Sequence, residues 1–514
     1  MNIKHEVALG WSHKLWNLPT AIFVGLTLSL CFLIFHPETI PFWDYPPHLA
    51  RLYILKLNGS DPIIAEYFSI NWHFVPNLAL DLFAYPLLQF LEPDTIMRIF
   101  ICVGFLIGAS GTIYLHRTLG GKGIWPYFVF LFLINDILAF GFLSFVFSNG
   151  LVAWVFAFWI KSKEMNVWAK LCLFTLATML LLTAHLFAFC VYALLVGSYE
   201  IAAFIERYKD KNTLFSNNFI VGAAQFIPSF ILFFLTRTVS SGVPFSAGSI
   251  MAKLSGLASL ISLYFIELQL IVIAFIGLFI IFMLVKKKAQ IASRMYVFII
   301  LSFAFFIVAP GDAFGSFFLD RRMPIAFLFP LIASIQFKPI KINHSLCWSA
   351  LVAVCLSQYA YVGYKWTIFD RQYNDLYVAA KDLKAGDKLL HFNLEKDSFA
   401  DNFAPPVIRF PEHLMLTNGV ISPYVFADPR HQPISYHGPF AKGAAEYPSI
   451  PQYDEERIEK LKIALDAELY LDFDYLLLTD FDKDFLANST RWQPYAEEGI
   501  FKTYKKMDIL KVTP

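Results

Sequence analysis

Apolar stretches long enough to cross a lipid bilayer follow one another from the N-terminus to about position 363. A helix needs about 20 apolar residues to cross about 30 Å of hydrocarbon, and a chain inside hydrocarbon must satisfy its own backbone, which helices do. Such stretches lie near 17–35, 96–116, 124–141, 143–160, 168–184, 186–204, 219–236, 268–285, 295–310, 323–337 and 346–363. The runs 124–160 and 168–204 are too long for single crossings, so each is read as a hairpin, turning near Gly141 and near Ala184-His185. The chain is expected to be an α-helical polytopic membrane protein with about eleven transmembrane helices. The first stretch runs into Phe35-His36-Pro37-Glu38 with no small-residue cleavage pattern and reads as a retained span.

Composition agrees. The chain is 57% hydrophobic and only 16% charged, where soluble domains carry about 25% charged residues. A net charge of +1 gives no field that would draw nucleic acid. The six cysteines (Cys31, Cys102, Cys172, Cys190, Cys347 and Cys355) all fall in apolar segments and have no metal-ligand spacing.

Lysine and arginine set the orientation. Lys4 and Lys14, then Arg117 and Lys122, Lys161 to Lys170, Arg207 to Lys211, Lys286 to Arg294, and Lys338 with Lys341 all fall on one side if there are eleven crossings. That side is read as cytoplasmic, with 250–266 as an amphipathic segment on the outer surface. The outer parts are then a first loop at 36–95, segments 237–267 and 311–322, and the polar tail. The expected domains are a membrane module over 1–363 and an extracytoplasmic α/β domain over 364–514. In the tail, helical spacing covers 370–383 and 454–469, and strands are expected at 388–394, 475–479 and 500–504. Asp472, Asp474, Asp480, Asp482 and Asp484 lack the glycine and distal glutamate of a calcium loop and read as solvated charges.

The first outer loop is too long to be a mere connection and too aromatic to be disordered. It opens with Phe42-Trp43-Asp44-Tyr45-Pro46-Pro47-His48-Leu49-Ala50-Arg51. The prolines bias Asp44 to extended geometry and suit the first turn of a helix running to about Leu57. On that helix His48 and Arg51, three apart, share a face. A second amphipathic stretch covers Leu78 to Leu91 and contains Asp81, and Glu66 and His73 lie between the two.

An inside N-terminus, about eleven spans, a long first outer loop with an acid after span one, and an outer α/β tail together resemble the GT-C superfamily. These are polytopic glycosyltransferases using polyprenyl-phosphate-linked sugars. In architecture the resemblance covers the whole chain; in residues it is carried by Phe42 to Arg51. It implies inverting transfer of a sugar from a polyprenyl phosphate donor to a lipid, glycan or protein acceptor. The setting it implies is the outer face of a membrane, taken here as the bacterial inner membrane with the tail in the periplasm. Many members carry paired acids at this position. Here Asp44 is followed by Tyr45, and the next acid in the loop is Asp61, then Glu66, so a divalent metal stays an open expectation without the support of a second adjacent acid, and no cofactor is assigned.

Such chemistry needs a base for the acceptor hydroxyl, cations for the departing phosphate and an apolar groove for the lipid. Asp44 is the candidate base. Asp320-Arg321-Arg322 is the first candidate for the phosphate, since arginine contacts phosphate in bidentate fashion; Arg237 is second, and Arg51 with His48 third. His185 at a hairpin turn and Asp136 in a span are ionisable groups at the bundle rim, which marks them as functional candidates, and His73 and Glu66 complete the set. Each has a structural alternative: Asp44 as a helix cap, the arginines snorkelling to the interface, and the others as solvated or hydrogen-bonded scaffold. Three further functions stay open on sequence: a transporter or flippase, a non-catalytic assembly protein, and a glycan polymerase or ligase.

Overall fold

The computed structural model describes residues 18–57, 59–209, 216–236, 248–312, 318–338, 344–393, 406–440, 461–465, 472–481 and 485–507. Helix α1 (Leu18–Phe35) leads into a loop that carries α2 (Tyr45–Leu57), α3 (Pro62–Tyr67), strand β1 (Phe68–Ile70) and α4 (Ala79–Ala84). Then come α5 (Pro93–Thr118), a 3₁₀ segment (Trp125–Phe132), α6 (Asp136–Ala139), α7 (Leu143–Lys161), α8 (Val167–Ala184) and α9 (Leu186–Lys209). They are followed by α10 (Asn217–Ala224), α11 (Ile227–Thr236), α12 (Ile250–Ala258), α13 (Ile266–Val285), strand β2 (Ala289–Ile291), α14 (Tyr296–Val308), α15 (Leu319–Ser334) and strand β3 (Ile335–Phe337). Among the described residues eight stretches, with α10 and α11 counted as one, are long and apolar enough to cross a membrane, and Trp125–Ala139 and α14 are shorter apolar pieces.

Two expected spans are not continuous helices. In 124–141 the helix restarts at Asn135, whose side chain accepts from Leu138 N at 2.9 Å and caps α6. In 219–236 the break falls at Gln225 and Phe226, ahead of Pro228, which has no N–H to donate. Gln225 is buried there, its carbonyl taking Thr178 Oγ1 at 3.0 Å and its side chain taking Tyr192 OH at 3.2 Å. Elsewhere small residues bring helices together. A Cβ on Gly150 would stand 2.9 Å from Gly108 N, and one on Gly111 would stand 2.8 Å from the Trp154 ring, so α5 and α7 meet backbone to backbone.

The long helix α16 (His344–Ala379) passes position 363 without a break and ends against a sheet. That sheet is built from β4 (Leu389–Asn393), β6 (Tyr475–Thr479), β7 (Trp492–Glu498) and β8 (Phe501–Lys506), in the order β4-β6-β8-β7. β4 and β6 are parallel, and the other pairs are antiparallel, with a bulge between Pro494 and Ala496. β4 and β6 are buried along their whole lengths, as near-continuous apolar runs in a covered parallel pair should be. Between β4 and β6 lie a 3₁₀ segment (Pro406–His413), α17 (Leu414–Thr417) and strand β5 (Ile434–Tyr436).

Strand β5 does not join that sheet. It pairs antiparallel with β1 of the first loop, Phe68 opposite Tyr436 and Ile70 opposite Ile434. The backbone pairing extends at both ends, with Asn71 N donating to Pro433 O and His437 N to Tyr67 O, each at 2.7 Å. The C-terminal region is thereby stitched to the loop that carries Asp44.

Candidate functional site

Asp44 is fixed by its neighbours before its side chain does anything. Trp43 N donates to Ala139 O at 2.9 Å, and Asp44 N donates to Phe140 O at 3.2 Å. The turn these carbonyls belong to closes at Gly141, whose φ of +88° favours glycine. From the other side Arg98 anchors the segment ahead of Asp44. Its guanidinium donates to the carbonyls of Ile34 at 2.6 Å, Pro37 at 3.0 Å and Glu38 at 2.8 Å while pairing with Asp94 at 2.6 Å. Tyr45 OH reaches the same Asp94 carboxylate at 2.8 Å.

The backbone of Asp44 begins α2, its carbonyl accepting from His48 N at 3.2 Å. Its carboxylate is not used to cap that helix: Pro46 and Pro47 have no N–H to give it, Tyr45 N donates to Phe42 O, and His48 N donates to the Asp44 carbonyl. The side chain stays partly accessible while its surroundings are dense. Burial pushes its pKa up to about 6, opposed by the guanidiniums of Arg409 and Arg322. Two cations from distant parts of the chain thus act on one carboxylate.

Arg322 comes from the first turn of α15 and lies 3.6 Å over the ring of Phe142, next to the Gly141 turn. Phe318, just before the helix, is held at φ +57°, a strained conformation for a bulky residue. Arg409 comes from the 3₁₀ segment that packs on α2. It donates to Glu412 Oε1 at 3.0 Å, and Glu412 Oε2 lies 3.8 Å from His391 Nε2. Glu412 is fully buried, and burial raises its pKa to about 7 against the pull of Arg409, with Asp44 raising it further.

The other expected residues are placed as follows. His48 is buried beside Asp44, with Nε2 3.2 Å from Gly141 O and its ring 4.9 Å from Phe426. Burial and the neighbouring Arg51 hold its pKa well below the usual value, so it is a neutral imidazole rather than a cation. Arg51 is buried, with Nε 3.0 Å from Asp81 Oδ1 and NH1 donating to Gln432 Oε1, so its charge belongs to the scaffold. His185 packs on Phe145 at 5.4 Å and takes Phe187 N on Nδ1 at 3.1 Å, near the same end of α7 as Arg322. Arg321 lies 4.8 Å over Phe318, and Asp320 accepts from the Arg321 backbone N at 2.9 Å. Asp136 accepts from Gln269 Nε2 at 2.8 Å. His73 and Glu66 are exposed. His73 bridges Asn71 O and Pro429 O, part of the seam between loop and C-terminal region. Arg237, Asp482 and Asp484 lie outside the described residues.

The sequence reading passes over Arg409 and Glu412. Their local signal is an acid three residues after an arginine behind a proline pair, common in solvated loops; only the fold carries them to Asp44. Among the described residues no three His, Cys, Asp or Glu side chains gather as a metal site.

No family model matches the chain, and no curated protein matches it significantly. Among solved structures it is similar to the crystal structure of ArnT from Cupriavidus metallidurans bound to undecaprenyl phosphate. Identity is 12% and the TM-score 0.49, with 96% of this chain and 99% of that chain covered.

Proposed function

We propose that this chain is a membrane glycosyltransferase that moves a sugar from a polyprenyl phosphate donor to a lipid, glycan or protein acceptor. The observation that carries the reading is the state of Asp44: an uncapped, partly accessible carboxylate acted on by two guanidiniums. A carboxylate with pKa near 6 is ionised at neutral pH yet basic enough to take a proton from an attacking hydroxyl. Arg322 and Arg409 supply positive charge where a departing phosphate would develop negative charge, and arginine binds phosphate in bidentate fashion. Attack by the acceptor opposite the phosphate would invert the anomeric carbon. The bond formed is acceptor oxygen to anomeric carbon, the bond broken is anomeric carbon to phosphate oxygen, and the acceptor proton passes to Asp44.

On this reading Arg321 and Asp320 shape the approach to Arg322. His48 supports the Gly141 turn, while His185 lines the floor. Arg51, His73 and Glu66 belong to the supporting loop. The lysine-rich side is cytoplasmic, and the site faces the outer side of a bacterial inner membrane. The test is transfer from a panel of polyprenyl phosphate sugars by purified protein and by Asp44→Asn. Transfer that Asp44→Asn abolishes in a folded protein supports the reading. Transfer that survives moves the base elsewhere, and none with any donor by folded wild type overturns the enzyme reading.

A further inference from the structure

A second site lies at the opposite end of the bundle and is independent of the Asp44 reading. Helix α7 starts beside Gly141 and runs 19 residues, about 28 Å at 1.5 Å per residue. At its far end, where α7 gives way to α8, is a cavity of about 330 Å³. Lys163, Glu164, Val167, Lys170, Asn217 and Asn218 line it.

Three observations give this cavity its character. Lys170 is buried to 1% exposure, with its ammonium 2.8 Å from Asn218 Oδ1 and 3.9 Å from the centre of the Trp159 ring. An ammonium carries three donors, and the ring holds the charge without taking a strong hydrogen bond. Glu200 accepts from Trp159 Nε1 at 3.2 Å and is the acid whose charge acts on Lys170, with no hydrogen bond between the two. The lining itself carries two lysines against one glutamate.

The N-terminal ends of α8 and α10 both open on the cavity, since Val167 is the first residue of one and Asn217 the first of the other. Asn166 and Ser216 already take first-turn N–H groups there, so what these ends add to the lysines is the positive potential of two helix dipoles. The surrounding surface is built for lipid: Trp168 is 75% exposed beside the cavity, and Leu173, Leu176 and Leu180 are exposed further along α8. Exposed tryptophan marks the level of the headgroups.

We infer that this cavity binds a phosphate ester anion, supplied by the headgroup of an anionic phospholipid seated along α8. Full-length protein in detergent is loaded with phosphatidylglycerol or with phosphatidylcholine, and retained lipid is counted by native mass spectrometry. A parallel titration with glycerol phosphate separates a soluble source from a lipid one. Phosphatidylglycerol should be retained over phosphatidylcholine, and Lys163→Gln and Lys170→Gln should each weaken retention about fivefold, the usual effect of one lysine near an anionic surface. Glycerol phosphate binding as well as the lipid, and lost in the same variants, would keep the anion site and make its ligand soluble. Equal retention of the two lipids, or retention unchanged in Lys163→Gln, overturns the proposal. Lys163 is exposed, so its variant decides the matter even if Lys170→Gln does not fold.

Discussion

Gly141 and Asp44 touch so closely that a Cβ added to Gly141 would stand 2.7 Å from the Cβ of Asp44 and 2.9 Å from its backbone nitrogen. Both contacts are too short for any real side chain, and the φ of Gly141 is positive as well. Gly141→Ala should therefore destabilise the protein by about 1–3 kcal/mol and displace Asp44. In a transfer assay its activity should fall by more than its loss of thermal stability explains. An alanine variant with unaltered melting and transfer would mean that the turn yields freely.

Asp44→Asn should lower transfer by about 10²–10⁴-fold, the usual range for losing a positioned base. Its stability should move the other way. A carboxyl whose pKa is raised from 3.8 to about 6 in the fold favours the unfolded state once ionised. Wild type thus loses stability as pH rises from about 4 to about 6 and stays lower above that. The asparagine variant should melt higher than wild type at pH 8, by an amount worth on the order of 1–3 kcal/mol, and the gain should vanish toward pH 4. Melting curves at both pH values check this.

The same shift sets the activity profile. With Asp44 as base, kcat/KM should rise with pH through about 6 and then level. Burial also lifts Glu412 to about 7, with Asp44 adding to the effect. Glu412 is therefore mostly protonated where Asp44 titrates, and Glu412→Gln should leave the limb near pH 6 in place. A profile unchanged in Asp44→Asn would remove Asp44 from the reaction.

Arg322→Ala and Arg409→Ala should each cost about 10²–10³-fold in kcat if both stabilise the leaving phosphate. Lysine at 409 should recover little, because the bidentate geometry is lost. Loss confined to Arg322→Ala would take the C-terminal region out of the chemistry.

The ion pair of Arg51 and Asp81 gives a stability test free of any assumption about catalysis. Both side chains are buried, at 1% and 0% exposure. Arg51→Met strands a buried carboxylate and should cost about 3–5 kcal/mol, much of it recovered by adding Asp81→Leu. Thermal unfolding of the single and double variants in detergent measures the difference.

The apolar helices were legible because hydrocarbon imposes one rule on a whole segment; α1, α7, α8 and α13 begin and end within two residues of where the sequence places them, while α9 runs five residues further, to Lys209. Strand 475–479 was legible for a similar reason, being a short apolar run bounded by polar turns. The breaks at Asn135 and Gln225 were not, since each depends on one polar side chain that mean apolarity hides. At the site, Asp44 and the arginines of α15 can be picked out by their position against the membrane. Arg409 and Glu412 cannot, because nothing near them in sequence says that β5 will pair with β1. The reading of Arg51 as a phosphate ligand needed knowledge of Asp81 and Gln432, which tertiary packing alone provides.

The pairing of β1 with β5 has a consequence for biosynthesis. Ser69 and its partner Ser435 are 366 positions apart (435 − 69), so at about 5–20 residues per second the first strand must wait on the order of tens of seconds for the second. During that time it presents an unpaired strand edge, an invitation to aggregation. On the proposed mechanism a nascent chain that stalls before β5 is made holds Asp44 without the settled partnership of Arg409, so transfer has to wait for the β1–β5 seam to close.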